Sequence, residues 1–242
     1  MSEIRKIYFA RLLGRVFILL LGFFFFFMKP EIVAPIEGLR FFDGPSLLHL
    51  LWLIWVIDML AQLFPIKRRL SIGSLKVFRQ HFRPILEKIS SSALKAHFAS
   101  TGKGALLVFV IWSLLIAALG ALHLSGILTH VHLFFITMTF YVCDLICVLI
   151  WCPFRLLMKN RCCTTCRIFN WDHLMMFSPL LFVRSFYCWT LLLLSIAVFI
   201  VWELCILIYP ERFFEQTNAA LQCANCTDKL CTQYCQKLRK KT

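Results

Sequence analysis

Residues 105–122 read ALLVFVIWSLLIAALGAL, an apolar run that contains no charged side chain. A helix needs about 20 mostly apolar residues to cross a hydrocarbon layer ~30 Å thick, so this run reads as a membrane span. Working outward, four further stretches qualify or nearly do: 12–28, 46–65, 131–152 and about 184–209. The composition agrees. Of the 242 residues 60% are apolar and 25 are Phe, and mean hydropathy is +0.79. Only 16% are charged, against roughly 25% in an ordinary soluble domain. A water-soluble core cannot hide that much apolar surface. The expected fold class is all-α, a polytopic transmembrane helical bundle with about five spans over residues 1–209. A basic loop, 66–104, lies within it, and a Cys-rich tail, 210–242, follows it.

The first span holds the run Phe23–Phe27, with Arg11 and Arg15 placed to snorkel near its start. No small-x-small cleavage site follows Met28, since the chain continues Lys29-Pro30-Glu31-Ile32-Val33. That pattern describes an uncleaved anchor.

Lys plus Arg outnumber Asp plus Glu by 26 to 12, and their distribution orients the chain. The 66–104 loop carries nine basic residues, from Lys67 to Lys103, against the single acid Glu87. The 153–172 loop adds Arg155, Lys159, Arg161 and Arg167, whereas the 123–130 turn has no Lys or Arg. Basic loops face the cytoplasm, which puts the N-terminus inside. Five crossings then put the tail outside, although Lys237-Leu238-Arg239-Lys240-Lys241 near its end argues the other way. A re-entrant segment near 173–183 would cross nothing and leave that parity unchanged. Within 66–104, Phe78, Phe82, Ile85, Leu86 and Ile89 recur at helical spacing among Arg79, Arg83 and Lys88. The pattern suits an amphipathic helix on anionic lipid, and equally an ordinary positive-inside loop. No motif points to nucleic acid. The lipid bilayer is the expected partner, with room for membrane-protein partners or a homo-oligomer.

Twelve cysteines are present. Cys143, Cys147, Cys152, Cys188 and Cys205 fall in or beside spans, where a thiol packs as a small hydrophobe. The other seven form two polar clusters. The first is Cys162-Cys163-Thr164-Thr165-Cys166 in a cytoplasmic loop. In a reducing compartment such spacing points to metal or redox work. Two intervening residues let both thiolates of Cys163 and Cys166 face one ion, Arg161 and Arg167 would favour thiolate, and His173 or Cys152 could add a ligand. The second cluster is Cys223-x2-Cys226-x4-Cys231-x3-Cys235. It suits one four-thiolate zinc, an iron–sulfur cluster, or two disulfides, and the compartment decides among them. On a five-span topology the clusters lie on opposite faces and cannot share an ion.

Three acids sit inside spans: Asp58, Asp144 and Glu203. Each costs about 2.5–3.5 kcal/mol at a helix centre and persists mainly when facing a bundle interior. Asp58 and Asp144 lie at similar depths, each in a polar stripe: Trp55, Asp58 and Gln62 on one span, Thr137, Tyr141 and Asp144 on another. The stripes suit a proton or cation path, or a helix-joining hydrogen-bonded pair. Glu203 falls nearer the outer end, where His49, His123, His130 and His132 collect. An outer metal site and plain interfacial histidines are both open readings. Ala117 and Ala121 form a small-xxx-small pair suited to close helix contact. No phosphate loop, G-x-S-x-G or H-E-x-x-H motif is present.

The strings Asn160-Arg161-Cys162-Cys163-Thr164-Thr165-Cys166-Arg167-Ile168-Phe169-Asn170-Trp171-Asp172 and Cys223-Ala224-Asn225-Cys226-Thr227-Asp228-Lys229-Leu230-Cys231 resemble a group of uncharacterised bacterial inner-membrane proteins. That group shares an RCCxxCRIxNWD loop and a CANCxxKLC tail, and the likeness implies a bacterial membrane location without an activity. A fainter likeness is to membrane ferredoxin-type proteins, through Cys147 and Cys152-Pro153, although the C-x2-C-x2-C-x3-C-P repeat is missing. The expectation is a membrane protein with cysteine-ligated zinc or iron–sulfur sites, open to electron transfer. The alternatives are a proton- or cation-coupled transporter component using Asp58 and Asp144, and a scaffold with structural cysteines.

Overall fold

The structure, a computed structural model, describes residues 2–64, 70–85, 90–160 and 162–230. It is an all-α bundle, as expected. In chain order the helices are α1 (Glu3–Met28), α2 (Leu47–Gln62), α3 (Ile72–Leu75), α4 (Ser91–Leu124), α5 (His130–Leu149), α6 (Phe154–Met158), α7 (Asp172–Phe177) and α8 (Phe186–Ile208). Helices α1, α4, α5 and α8 are long and apolar enough to cross a membrane, and α2 is a shorter apolar helix. Among the described residues there is no strand, only two isolated bridges, Gly38–Ser185 and Pro84–Asn218.

Polar residues at the helix starts explain where the apolar runs become helical. The Ser2, Ser90 and Ser185 hydroxyls accept from the backbone N–H of Arg5, Ala93 and Cys188 at 3.1–3.2 Å, satisfying donors that a helix leaves open. Helices α2 and α5 open with reciprocal caps, Ser46 with His49 and Thr129 with His132. Because Ser90 sets its start, α4 begins well before the apolar run.

The two ends of the bundle differ. One carries residues 30–45, the 125–129 turn and the four interfacial histidines. The other carries the N-terminus, residues 70–85 and the 150–171 loop with its cysteines. The chain passes between these ends in α1, α2, α4, α5 and α8, and also in residues 172–185. That last passage combines α7, a 3-10 turn at Ser178–Phe182 and an extended stretch. At rises of about 1.5, 2.0 and 3.3 Å per residue the pieces total ~29 Å. It starts beside Gln62 at the cysteine end and finishes where Phe186 N–H donates to the Gly38 carbonyl at 3.1 Å.

Irregular backbone at this depth is tolerated only inside protein, and this segment is enclosed. Phe177 and Leu180 are fully buried, and the Trp112 Nε1–H donates to the Ser178 hydroxyl at 3.0 Å. Gly120 of α4 lets the Phe182 ring lie against the helix backbone. The close contact on α4 is therefore made by Gly120; Ala117 and Ala121 point outward.

Six passages return the tail to its starting end, which corrects the expectation of a tail on the opposite face. The Ser2 hydroxyl donates to the Asp228 carbonyl, and the Ile72 N–H donates to Asp228 Oδ2 at 2.6 Å. Leu230 is buried with Tyr8, Leu12 and Leu149. Single cysteines introduced as Glu3→Cys and Glu215→Cys should accordingly react with a membrane-impermeant maleimide from one and the same face. Labelling from opposite faces would restore the five-crossing count.

Of the two readings of 78–89, the amphipathic helix does not form over the described part. Arg79–His81 is a single 3-10 turn, and the chain is extended before and after it. Pro84, which has no N–H to give a helix, pairs instead with Asn218. Leu86, Lys88 and Ile89 lie outside the described residues.

Candidate functional site

Two buried features meet near the cysteine end: a chain of charges and a cavity lined with thiols. Arg15, on the first span, does not snorkel to the interface. Its guanidinium is buried and bonds Asp144 Oδ2 of α5 at 2.6 Å and Asp58 Oδ2 of α2 at 3.3 Å. It also donates to the Tyr141 carbonyl at 2.7 Å and stands 3.8 Å above the Tyr141 ring, a geometry in which cation and ring quadrupole attract. The two polar stripes read from the sequence thus face each other, joined by a cation from a third helix.

His173 of α7 extends the chain. Its Nε2 lies 3.6 Å from Asp58 Oδ2 and its Nδ1 lies 3.3 Å from Asp172 Oδ2. Gln62, one turn beyond Asp58, donates to Asp172 Oδ2 at 3.1 Å and lies 3.1 Å from His173 Nδ1. His173 is therefore engaged with carboxylates rather than thiols, and the reading of it as a further cysteine-site ligand is corrected. Asp172 and His173 sit in the loop string that the sequence flagged for its cysteines. A signal for them existed in the Asp-His pair at the edge of an apolar stretch.

Glu203 belongs to a different contact. It accepts from Arg167 Nη2 at 2.8 Å and from Trp171 Nε1 at 2.9 Å, fastening the cysteine loop to α8. That places it at the end opposite the histidines, because α8 runs toward the cysteine end. The outer metal reading loses its carboxylate. The imidazoles are engaged locally: His49 with Ser46 and Phe41, His132 with Thr129, His123 with the Leu128 carbonyl, and His130 with Glu37.

The thiols converge. A cavity of about 240 Å³ is walled by Cys143, Cys147, Cys152, Cys162, Cys163 and Cys166, and Asp144 and Asp172 reach it from the charge chain. A second, smaller pocket of about 10 Å³ is lined by Cys162 and Cys163 from the loop and by Cys223 and Cys226 from the tail. Space of that size holds about one water-sized particle. Cys231 and Cys235 lie outside the described residues.

The two C-x-x-C segments have the same local shape. Cys163–Thr165 and Cys223–Asn225 are each one 3-10 turn, closed by Cys166 N–H to the Cys163 carbonyl at 3.0 Å and by Cys226 N–H to the Cys223 carbonyl at 3.3 Å. With three residues per turn, side chains at i and i+3 eclipse. In the tail turn both Cys223 and Cys226 line the small pocket; in the loop turn Cys163 lines it and Cys166 does not.

Lys76, fully buried after α3, holds the first turn in place. Its ammonium donates to the carbonyls of Thr164 and Cys166 at 2.9 and 2.8 Å, under the rings of Trp202 and Phe213. Burial pushes this ammonium down to about 8, against the pull of the nearby thiols.

The flanking arginines do not produce thiolates as the sequence suggested. Arg167 is paired with Glu203, Arg161 lies outside the described residues, and burial pushes the Cys163 and Cys166 thiols up. Among the described residues no three His, Cys, Asp or Glu side chains are closed to metal-ligand geometry. No protein-family model, curated protein or solved structure matches the chain.

Proposed function

We propose that the chain is an integral protein of a bacterial cytoplasmic membrane that holds one thiophilic metal, zinc or iron, between its loop and its tail. The ligands are Cys162, Cys163, Cys223 and Cys226. The observation that carries this reading is the shared pocket: two segments 60 residues apart in sequence bring four thiols to one small space. Cys166 closes the first turn from behind and, with Cys231 and Cys235, completes the thiol set. Sulfur donors select zinc, copper(I) and iron–sulfur chemistry over hard cations. Loading draws the side chains in from lining the pocket to Zn–S or Fe–S distances of about 2.3 Å, and it offsets the burial that pushes the Cys163 and Cys226 thiols up.

Orientation supports the metal over disulfides. The basic loops 66–104 and 153–172 belong to the cysteine end, so the positive-inside rule puts that end in the cytoplasm, where thiols stay reduced. Lys76 then sits behind the first turn as a fixed positive charge and offsets the negative charge of a four-thiolate centre.

The test is metal and acid-labile sulfide per chain on full-length protein purified without oxygen. About one zinc or iron per chain is expected, and sulfide distinguishes a cluster from a single ion. Replacing either pair alone, Cys162→Ser with Cys163→Ser or Cys223→Ser with Cys226→Ser, should remove nearly all of it. Half the metal surviving each replacement means two separate sites, and full retention in either variant overturns the assignment.

A further inference from the structure

The buried charges do not balance. From α5 through α1 and α2 to α7, the groups Asp144, Arg15, Asp58, His173 and Asp172 alternate in sign, with successive contacts of 2.6, 3.3, 3.6 and 3.3 Å. Three carboxylates thus face one guanidinium and one imidazole. Counting the groups in ion-pair contact, and even with the imidazole charged, one negative charge is left over; among the described residues Arg11, the next cation facing the chain, makes no ion pair with these carboxylates. A surplus charge inside a low-dielectric bundle is costly, and a titratable group in that position takes up a proton instead.

Asp58 has a cation on either side. Asp144 and Asp172 end the chain with one cation each, and both reach the wall of the 240 Å³ cavity. Toward the histidine end, the fully buried rings of Trp55, Phe134, Phe177 and Tyr187 close over the chain. His173 is 2% exposed, and its Nε2 makes no hydrogen bond among the described residues, leaving it free to carry or release a proton toward Asp58. The Gln62 NH2 donates to the Asp172 carboxylate at 3.1 Å. The other titratable groups facing the chain are Arg11 on α1, Tyr141 on α5 and, across the cavity, Arg155 and the thiols already described.

We propose that this chain of charges is a proton-binding site that holds one exchangeable proton, exchanged through the cysteine-lined cavity. The assignment stands independently of the metal centre. A transport or sensing role for the protein would use this proton.

Infrared spectroscopy of the full chain in lipid nanodiscs tests it. At neutral pH the carbonyl stretch of a protonated carboxylic acid is expected, shifted on transfer to D2O. Asp58→Asn, Asp144→Asn and Asp172→Asn each remove one negative charge and balance the chain, so each should lose the band, while Asp43→Asn, at an exposed position far from the chain of charges, keeps it. The wild-type spectrum alone is decisive in one direction, because absence of the band at neutral pH overturns the proposal whether or not the variants fold. A band that survives in all three variants also overturns it. So does a band that disappears when sodium replaces potassium, since the site would then take an alkali cation.

Discussion

Arg15→Met should leave almost no folded protein in detergent. The substitution keeps an unbranched apolar stem but removes the one guanidinium that joins α1 to Asp144 and Asp58. Breaking a buried ion pair by deleting one partner costs about 3–5 kcal/mol, because the other charge is left unpaired in a poor solvent. Here two carboxylates are stranded, and the Tyr141 carbonyl loses its donor. That cost is a large share of the 5–15 kcal/mol that holds a typical domain together. Arg15→Lys should be intermediate, since a single ammonium cannot span both carboxylates as a planar fork does. Adding Asp144→Asn to Arg15→Met should recover part of the loss. Thermal unfolding followed by size-exclusion fluorescence reads all three. An Arg15→Met variant with the wild-type midpoint would show that the helices are held together without this charge.

Gly120→Val should be the next most damaging change, although it adds only apolar carbon to an apolar helix. A Cβ at this position would lie 2.9 Å from Phe182 Cε2 and closer still to two other atoms of the ring. Phe182 belongs to the 3-10 turn that the bundle encloses, so the ring has little room to withdraw. Overpacking of this kind costs about 1–3 kcal/mol. A smaller residue opposite should reverse it: Phe182→Ala alone destabilises by leaving a hole, but combined with Gly120→Val it should do less harm than the two changes summed. The double-mutant cycle in unfolding midpoints is the check. Strict additivity would mean that α4 and the turn do not touch in solution.

The helical bundle was legible because lipid-facing helices write themselves as apolar runs, and 105–122 could hardly be read otherwise. The passage at 172–185 was not legible. The twenty-residue criterion assumes a continuous α-helix that lipid can surround, whereas this segment mixes three backbone conformations, is broken by Pro179 and is covered by α4, α5 and α8. A single missed passage reverses the side of everything after it. For that reason the two cysteine clusters, each recognised from its spacing, seemed unable to meet. The acids Asp58 and Asp144 were found by their burial cost, and their equal depth suggested a pair. Their cation was overlooked because Arg15 lies near the start of the 12–28 apolar run, where long basic side chains ordinarily reach back to the headgroups, whereas the helix begins at Glu3 and puts Arg15 midway along it. Asp172 was masked by the conspicuous cysteines beside it, and His173 was read as a partner for those cysteines instead.

The composite passage also bears on how the chain is made. Its apolar part, about ten residues from Leu174 to Val183, is too short and too interrupted to enter a bilayer as an independent stop-transfer unit. It can settle only after α4 and α5 have come together to receive it, and until then α8 and everything after it remain on the wrong side. Delivery of Cys223 and Cys226 to Cys162 and Cys163 is therefore a late event in biogenesis, conditional on every earlier insertion having succeeded. A chain stalled before that point leaves the tail undocked, without the Asp228 contacts to Ser2 and Ile72 that hold it at the cysteine end.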